Sequence, residues 1–132
     1  MAKAVAVKLL SFTLPNKIGQ LAAVAGLLGE AGVNVTALRA AEAGSSAEFT
    51  IGVKNPKKAL KALASLGVEI KETDALCVEL SNKAGRLQKV TRKLADAGVN
   101  LQASWSTAFT GKTASCILVT SDDKKAVAAL KK

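Results

Sequence analysis

Histidine and tyrosine are absent from this 132-residue sequence, and tryptophan, proline and cysteine are scarce, at one, two and two residues. Without histidine the commonest general base and metal ligand is missing, and no Ser/His/Asp triad is available. Cys77 and Cys116 are too few for a disulfide framework. Neither has a second Cys or a His at metal-ligand spacing, so both read as reduced, partly buried thiols on strands. No glycine-rich phosphate loop with lysine appears. Catalysis, metals and cofactors are therefore not expected. Long hydrophobic runs are lacking too: no stretch approaches the roughly 20 apolar residues of a membrane span. The segment Met1–Leu14 has neither the apolar run nor the cleavage region of a signal peptide. The expectation is a cytoplasmic protein with no membrane partner. Acidic residues number only ten against 19 Lys and Arg, a formal net charge of +9.

What is present is apolar, and it repeats. Hydrophobic residues make up 49% of the chain, the composition of a folded protein. Asn16-Lys17-Ile18-Gly19-Gln20-Leu21 returns as Asn82-Lys83-Ala84-Gly85-Arg86-Leu87, and Ala31-Gly32-Val33-Asn34 returns as Ala97-Gly98-Val99-Asn100. Both pairs share an offset of 66 residues. Two anchors at one spacing define an internal duplication, with modules at 1–73 and 74–132. Modules this small bury little surface, so shared interfaces or a homodimer are expected.

Each copy reads as strand, helix, strand, strand, helix. The first strands are Val5–Leu14 and Ala75–Leu80, with Leu10, Phe12 and Leu14 matching Leu76, Val78 and Leu80 on the face toward the helices. Helical periodicity then gives Ile18, Leu21, Ala22, Ala25 and Leu28 in one copy, and Ala84, Leu87, Val90, Thr91 and Leu94 in the other. Asn16 and Asn82 stand as N-caps, and Gly32 and Gly98 as left-handed C-terminal residues. The second strands, Val33–Ala41 and Val99–Thr107, lead through turns at Gly44-Ser45-Ser46 and Thr110-Gly111 into third strands. There Phe49, Ile51 and Val53, or Ile117 and Val119, point inward. A second helix opens at Asn55-Pro56 or at Ser121-Asp122-Asp123, with Leu60 and Leu63 or Val127 and Leu130 as its buried stripe. Only the first copy continues into a fourth strand, Gly67–Glu72. In the second copy that strand is absent, supplied from elsewhere, or beyond this sequence.

A βαββαβ unit whose first turn reads Asn-Lys-x-Gly-x-Leu and whose helix ends in Ala-Gly-Val-Asn resembles the ACT domain. The resemblance implies an α+β fold, two tandem ferredoxin-like βαββαβ modules with antiparallel sheets and helices on one face, with the last strand of the second module left open as above. It also implies a non-catalytic regulatory protein that binds a small effector, an amino acid, at module or subunit seams. The implied ligand-binding residues are Asn16, Lys17, Ile18, Gly19, Leu21 and Asn34, with Asn82, Lys83, Ala84, Gly85, Leu87 and Asn100. Asn16 would face Asn100 across a seam, and Asn82 would face Asn34. Leu14 and Leu80 stand where serine-sensing modules carry a polar side chain, which weighs against serine. The output would pass to an enzyme regulated in trans.

RNA-recognition modules share this topology. They need aromatic side chains on the open sheet face, where this chain offers Ser11, Thr13, Thr50, Gly52, Cys77, Glu79, Cys116 and Leu118. Nucleic acid is not the expected partner, and the cations Lys83, Arg86, Lys89, Arg92 and Lys93 read as a solvated helix face. Trp105 and Phe109, opposite Arg39 and Ala43 of the first copy, read as core or interface residues.

Overall fold

The computed structural model describes residues 3–107 and 111–131. The strands are β1 (Lys3–Pro15), β2 (Val35–Ala43), β3 (Ser46–Val53), β4 (Lys71–Ser81), β5 (Leu101–Thr107) and β6 (Thr113–Thr120). The helices are α1 (Gln20–Glu30), α2 (Pro56–Leu63), α3 (Arg86–Asp96) and α4 (Asp123–Leu130), and a 3-10 turn at Ala64–Leu66 follows α2. This is the α+β architecture of paired ferredoxin-like modules. No helix among the described residues is long and apolar enough to cross a membrane.

Two compact units form. The first is Val7–Thr73; the second runs from Asp74 and includes the N-terminal segment through Ala6. Lys3–Ala6, taken above with the first module, thus fall with the second. Strand order gives the reason. The second unit reads β1-β4-β6-β5, so the start of β1 stands where a fourth strand belongs. Ala4 packs against that unit's core, and with Lys3 it lines a cavity of about 260 Å³ beside Val127 and Leu130. An otherwise bare edge of β4 is thereby occupied.

The first unit reads β2-β3-β1-β4, using the first residues of β4. Its expected fourth strand, Gly67–Glu72, begins only at Lys71. Gly67, at φ 66°, closes the 3-10 turn, and Val68 and Ile70 anchor to the core without joining a strand.

In the first unit Leu10, Phe12 and Leu14 meet Ile51, Phe49 and Ala47 across an antiparallel ladder, beneath Val24, Leu28, Ala59 and Leu63 of the two helices. The Phe12 and Phe49 rings stack at 5.3 Å. The second unit repeats this with Leu76, Val78 and Leu80 opposite Leu118, Cys116 and Ala114, under Val90, Leu94, Ala126 and Leu130. Here a uniform offset of 66 fails. Ile51 corresponds to Leu118, because seven residues separate the paired Thr107 and Ser115 where six separate the paired Ala41 and Glu48. One extra residue exchanges the two faces of a strand. Cys116 and Leu118 are therefore core residues and not part of the open face, whereas Ile117, expected inward, pairs with Trp105 and Cys77 on the side away from the helices. Phe109 and Thr110 lie outside the described residues.

Of the expected helix faces, Leu28 in α1 and Val90 and Leu94 in α3 are buried, and the rest of the stripe is not. Val24 and Leu28, or Val90 and Leu94, are buried, while Leu21, Ala22 and Ala25, like Ala84 and Leu87, are exposed and Thr91 is half-buried. The phase was counted from residues 18 and 84, which precede the helices. Their C-termini follow the sequence closely: Gly32 (φ 70°) and Gly98 (φ 76°) adopt left-handed conformations. The amides of Val33 and Val99 return to the Leu28 and Leu94 carbonyls at 2.9 Å, a Schellman closure in each copy. Asn55 and Asp122 cap α2 and α4, each accepting from the backbone N–H three residues on at 3.1 Å.

Candidate functional site

The turn from β1 into α1 is built without a side-chain cap. The residue at the N-cap position is Gly19, at φ 90°, and not Asn16; in the second copy it is Gly85, at φ 86°, and not Asn82. Both glycines occupy the region that L side chains adopt only at a cost. A Cβ at either would meet nothing within 4 Å, so each lies against open space. Neither helix carries an acidic residue in its first turn. The Gln20 and Arg86 N–H groups donate back to the Lys17 and Lys83 carbonyls at 3.4 and 3.2 Å, so each helix presents its next N–H groups and the positive end of its dipole without an acidic side chain in its first turn.

The two asparagines have another task. The Asn16 backbone N–H donates to the Ser45 carbonyl at 2.9 Å, and its Nδ2 donates to Glu42 Oε2 at 2.6 Å. The Asn82 backbone N–H donates to the Lys112 carbonyl at 2.8 Å, and its Nδ2 donates to the Gly111 carbonyl at 3.0 Å. Each asparagine thus ties its loop to the hairpin of its own unit. The donor end of each amide is turned toward the hairpin, which leaves Oδ1 as the acceptor for another group. Gln20 Nε2 further secures the first loop by donating to the Pro15 carbonyl at 2.9 Å.

Lys17, Ile18, Gly19 and Leu21 gather around the first loop, and Lys83, Ala84, Gly85 and Leu87 around the second. All are exposed. Asn34 and Asn100 do not join them within a copy, since an eleven-residue helix separates them by about 16 Å. Asn100 is engaged locally: its N–H donates to Ser121 Oγ, and its carbonyl accepts from the Ser121 N–H, both at 2.9 Å. Glu42 and Ser45 were missed in the sequence. Their only signal is proximity across a hairpin, and the residue at the Glu42 offset in the second copy, Ala108, lies outside the described residues.

The surfaces beside the loops differ. On the first, Ile18 is fully exposed, and Leu21, Val35 and Leu38 stand 42–45% exposed. From Ile18 to Gly29 there is no charged residue. On the second, Leu87 is the one large apolar side chain left exposed among the described residues of α3, which otherwise presents Arg86, Lys89, Arg92 and Lys93. Arg92 pairs with Asp96 at 3.2 Å.

No nucleophile is poised here. Burial, aided by Glu79, raises the Cys77 thiol above its ordinary value, and burial, aided by Cys77, raises that of Cys116. Both stay protonated near neutrality. Among the described residues no group of His, Cys, Asp and Glu is arranged to hold a metal ion.

Comparison with known proteins follows the same lines. A family model described as an ACT domain pair matches residues 5–131. A solved protein from Bacteroides thetaiotaomicron is similar at 32% identity and a TM-score of 0.84, covering 97% of this chain and 88% of its own. The ligand-free regulatory subunit of aspartate kinase from Thermus thermophilus shares the fold at 18% identity and a TM-score of 0.73, covering 98% and 94%. The corresponding subunit from Thermus flavus does so at 18% identity and 0.65, covering 99% and 94%. No curated protein matches the chain.

Proposed function

Since the chain belongs to the ACT domain family, as an ACT domain pair, we propose that it is a non-catalytic regulatory protein whose effector is an amino acid bound at the β1–α1 and β4–α3 loops. One observation carries this reading: the same uncapped helix start is built twice, each time with a left-handed glycine against open space and an asparagine secured beside it. The helix N–H groups suit a carboxylate. The asparagine Oδ1 suits an ammonium. The contacting set is Asn16, Lys17, Ile18, Gly19 and Leu21, with Asn82, Lys83, Ala84, Gly85 and Leu87 in the repeat.

Asn34 and Asn100 do not complete the loop of their own unit, because α1 and α3 hold them a helix length away; at a module or subunit seam Asn100 would face Asn16 and Asn34 would face Asn82. The exposed Ile18, Leu21, Val35 and Leu38 support a homodimer through the first unit. α1 itself carries no cation, so two copies that meet along it oppose no like charges there. An effector that favours one arrangement of the dimer then acts on an enzyme in trans by shifting that equilibrium.

The test is a thermal-shift series with the twenty amino acids, in which a ligand of the native state raises the melting temperature. A shift is expected for at least one, reduced by Asn16→Ala or Asn82→Ala. No shift with any of them, or shifts unchanged in both variants, would remove the reading.

A further inference from the structure

The first unit contains a cavity of about 610 Å³ that none of the loop residues touches. It is lined by Ser11 and Thr13 of β1, Glu48 and Thr50 of β3, and Glu69 and Lys71 at the entry to β4. Ser11 pairs with Thr50 and Thr13 with Glu48 in the ladder, so these four side chains share one face of the sheet. The neighbouring Phe12 and Phe49 point to the opposite face, into the core beneath α1 and α2. The cavity opens beside residues 67–70, which belong to no strand.

Its chemistry is unusual for this chain. Glu48 and Glu69 are two of only ten acidic residues among 19 cations, yet among the described residues neither forms an ion pair. The hydroxyls between them are under-used: Ser11 Oγ and Thr50 Oγ1 lie 3.4 Å apart, at the outer limit of a hydrogen bond. Two carboxylates and three hydroxyls supply acceptors in excess, with Lys71 the one cation lining the cavity. Among the described residues no group of three His, Cys, Asp or Glu gathers here to hold a metal ion. An anion would face two carboxylates.

We propose that this cavity is a second ligand site, and that it takes a small molecule bearing a primary ammonium group. The ammonium's three N–H groups find acceptors among the Glu48 and Glu69 carboxylates and the Ser11, Thr13 and Thr50 hydroxyls. Lys71 then separates two sources of that group, since it attracts the carboxylate end of a zwitterion and repels the second ammonium of a diamine.

The experiment is an amide-resolved NMR titration of the full chain with ethanolamine, which lacks the carboxylate required by the β1–α1 loops. β-Alanine and 1,4-diaminobutane form the zwitterion and diamine arms, and sodium acetate is the control. Saturable shifts are expected at residues 11–13, 48–50 and 69–71, with none at 16–21 or 82–87. Affinity should fall about tenfold or more in the Glu48→Gln/Glu69→Gln variant, whose unperturbed remaining spectrum reports an intact fold. Lys71→Met should weaken β-alanine and strengthen the diamine. Absence of shifts, shifts spread over all the acidic residues, or equal affinity in the double variant would overturn the site. Ethanolamine shifts confined to 16–21 would overturn it too. Because ethanolamine is not an amino acid, failure here leaves the loop reading standing, and failure of the loops leaves this site standing.

Discussion

The two copies are nearly identical inside and unlike outside. Leu10, Phe12 and Leu14 have Leu76, Val78 and Leu80 as counterparts, and Val24 and Leu28 have Val90 and Leu94. Both helices end in the same Schellman closure and begin at the same left-handed glycine. Yet α1 exposes Leu21, Ala22 and Ala25, whereas α3 exposes Lys89 and Arg92 beside Leu87. Packing constrains the buried set to a volume and shape. Solvent constrains the outer set only loosely, so the outer faces are free to diverge toward different partners. The apolar face is the one the proposed homodimer uses.

The sharpest way to break this comparison is in the cores. Leu28→Ala and Leu94→Ala each remove a fully buried side chain, at an expected cost of about 2–5 kcal/mol. If the interiors are equivalent, urea denaturation should show similar losses, and a clear difference would show that one copy depends less on its core. Next in size is the surface. Leu21→Lys places charge on the apolar face and should weaken self-association about tenfold or more by sedimentation, whereas Leu87→Lys should leave it unchanged. Equal effects would make the faces equivalent after all. At the loops, Gly19→Ala and Gly85→Ala each force a Cβ into a left-handed conformation, costing about 1–2 kcal/mol in thermal or chemical unfolding. Effector affinity should fall with the copy that binds it. The smallest effect concerns the thiols. Half-buried Cys77 should react with a maleimide before buried Cys116. Both rates should rise as pH climbs toward their raised pKa values, because only the thiolate attacks.

How much of this was legible in the sequence varies by feature. Gly32, Gly98, Asn55 and Asp122 act through neighbours three to five residues away, and their roles were readable from local spacing. The inward parity of β1 and β4 was equally clear, since alternation needs no partner. At the candidate site the motif was visible, but the work of its asparagine was not. Asn16 was taken as a cap because it precedes a helix, while its actual partners, Ser45 and Glu42, lie across a hairpin.

The sequence by itself determined the duplication, the order of elements, the C-terminal ends of the first helices, the caps of the second helices and the twofold recurrence of an asparagine and a glycine before a helix start. These are consequences of backbone sterics and short-range periodicity, which each segment expresses on its own. The tertiary structure decided the phase of each first helix, the face of every residue in β6 and the assignment of Lys3–Ala6 to the second unit. Each of those depends on a partner strand. One residue more between Thr107 and Ser115 than between Ala41 and Glu48 reverses which side chains reach the core. An edge of β4 more than 60 residues distant gives the first residues of β1 their place.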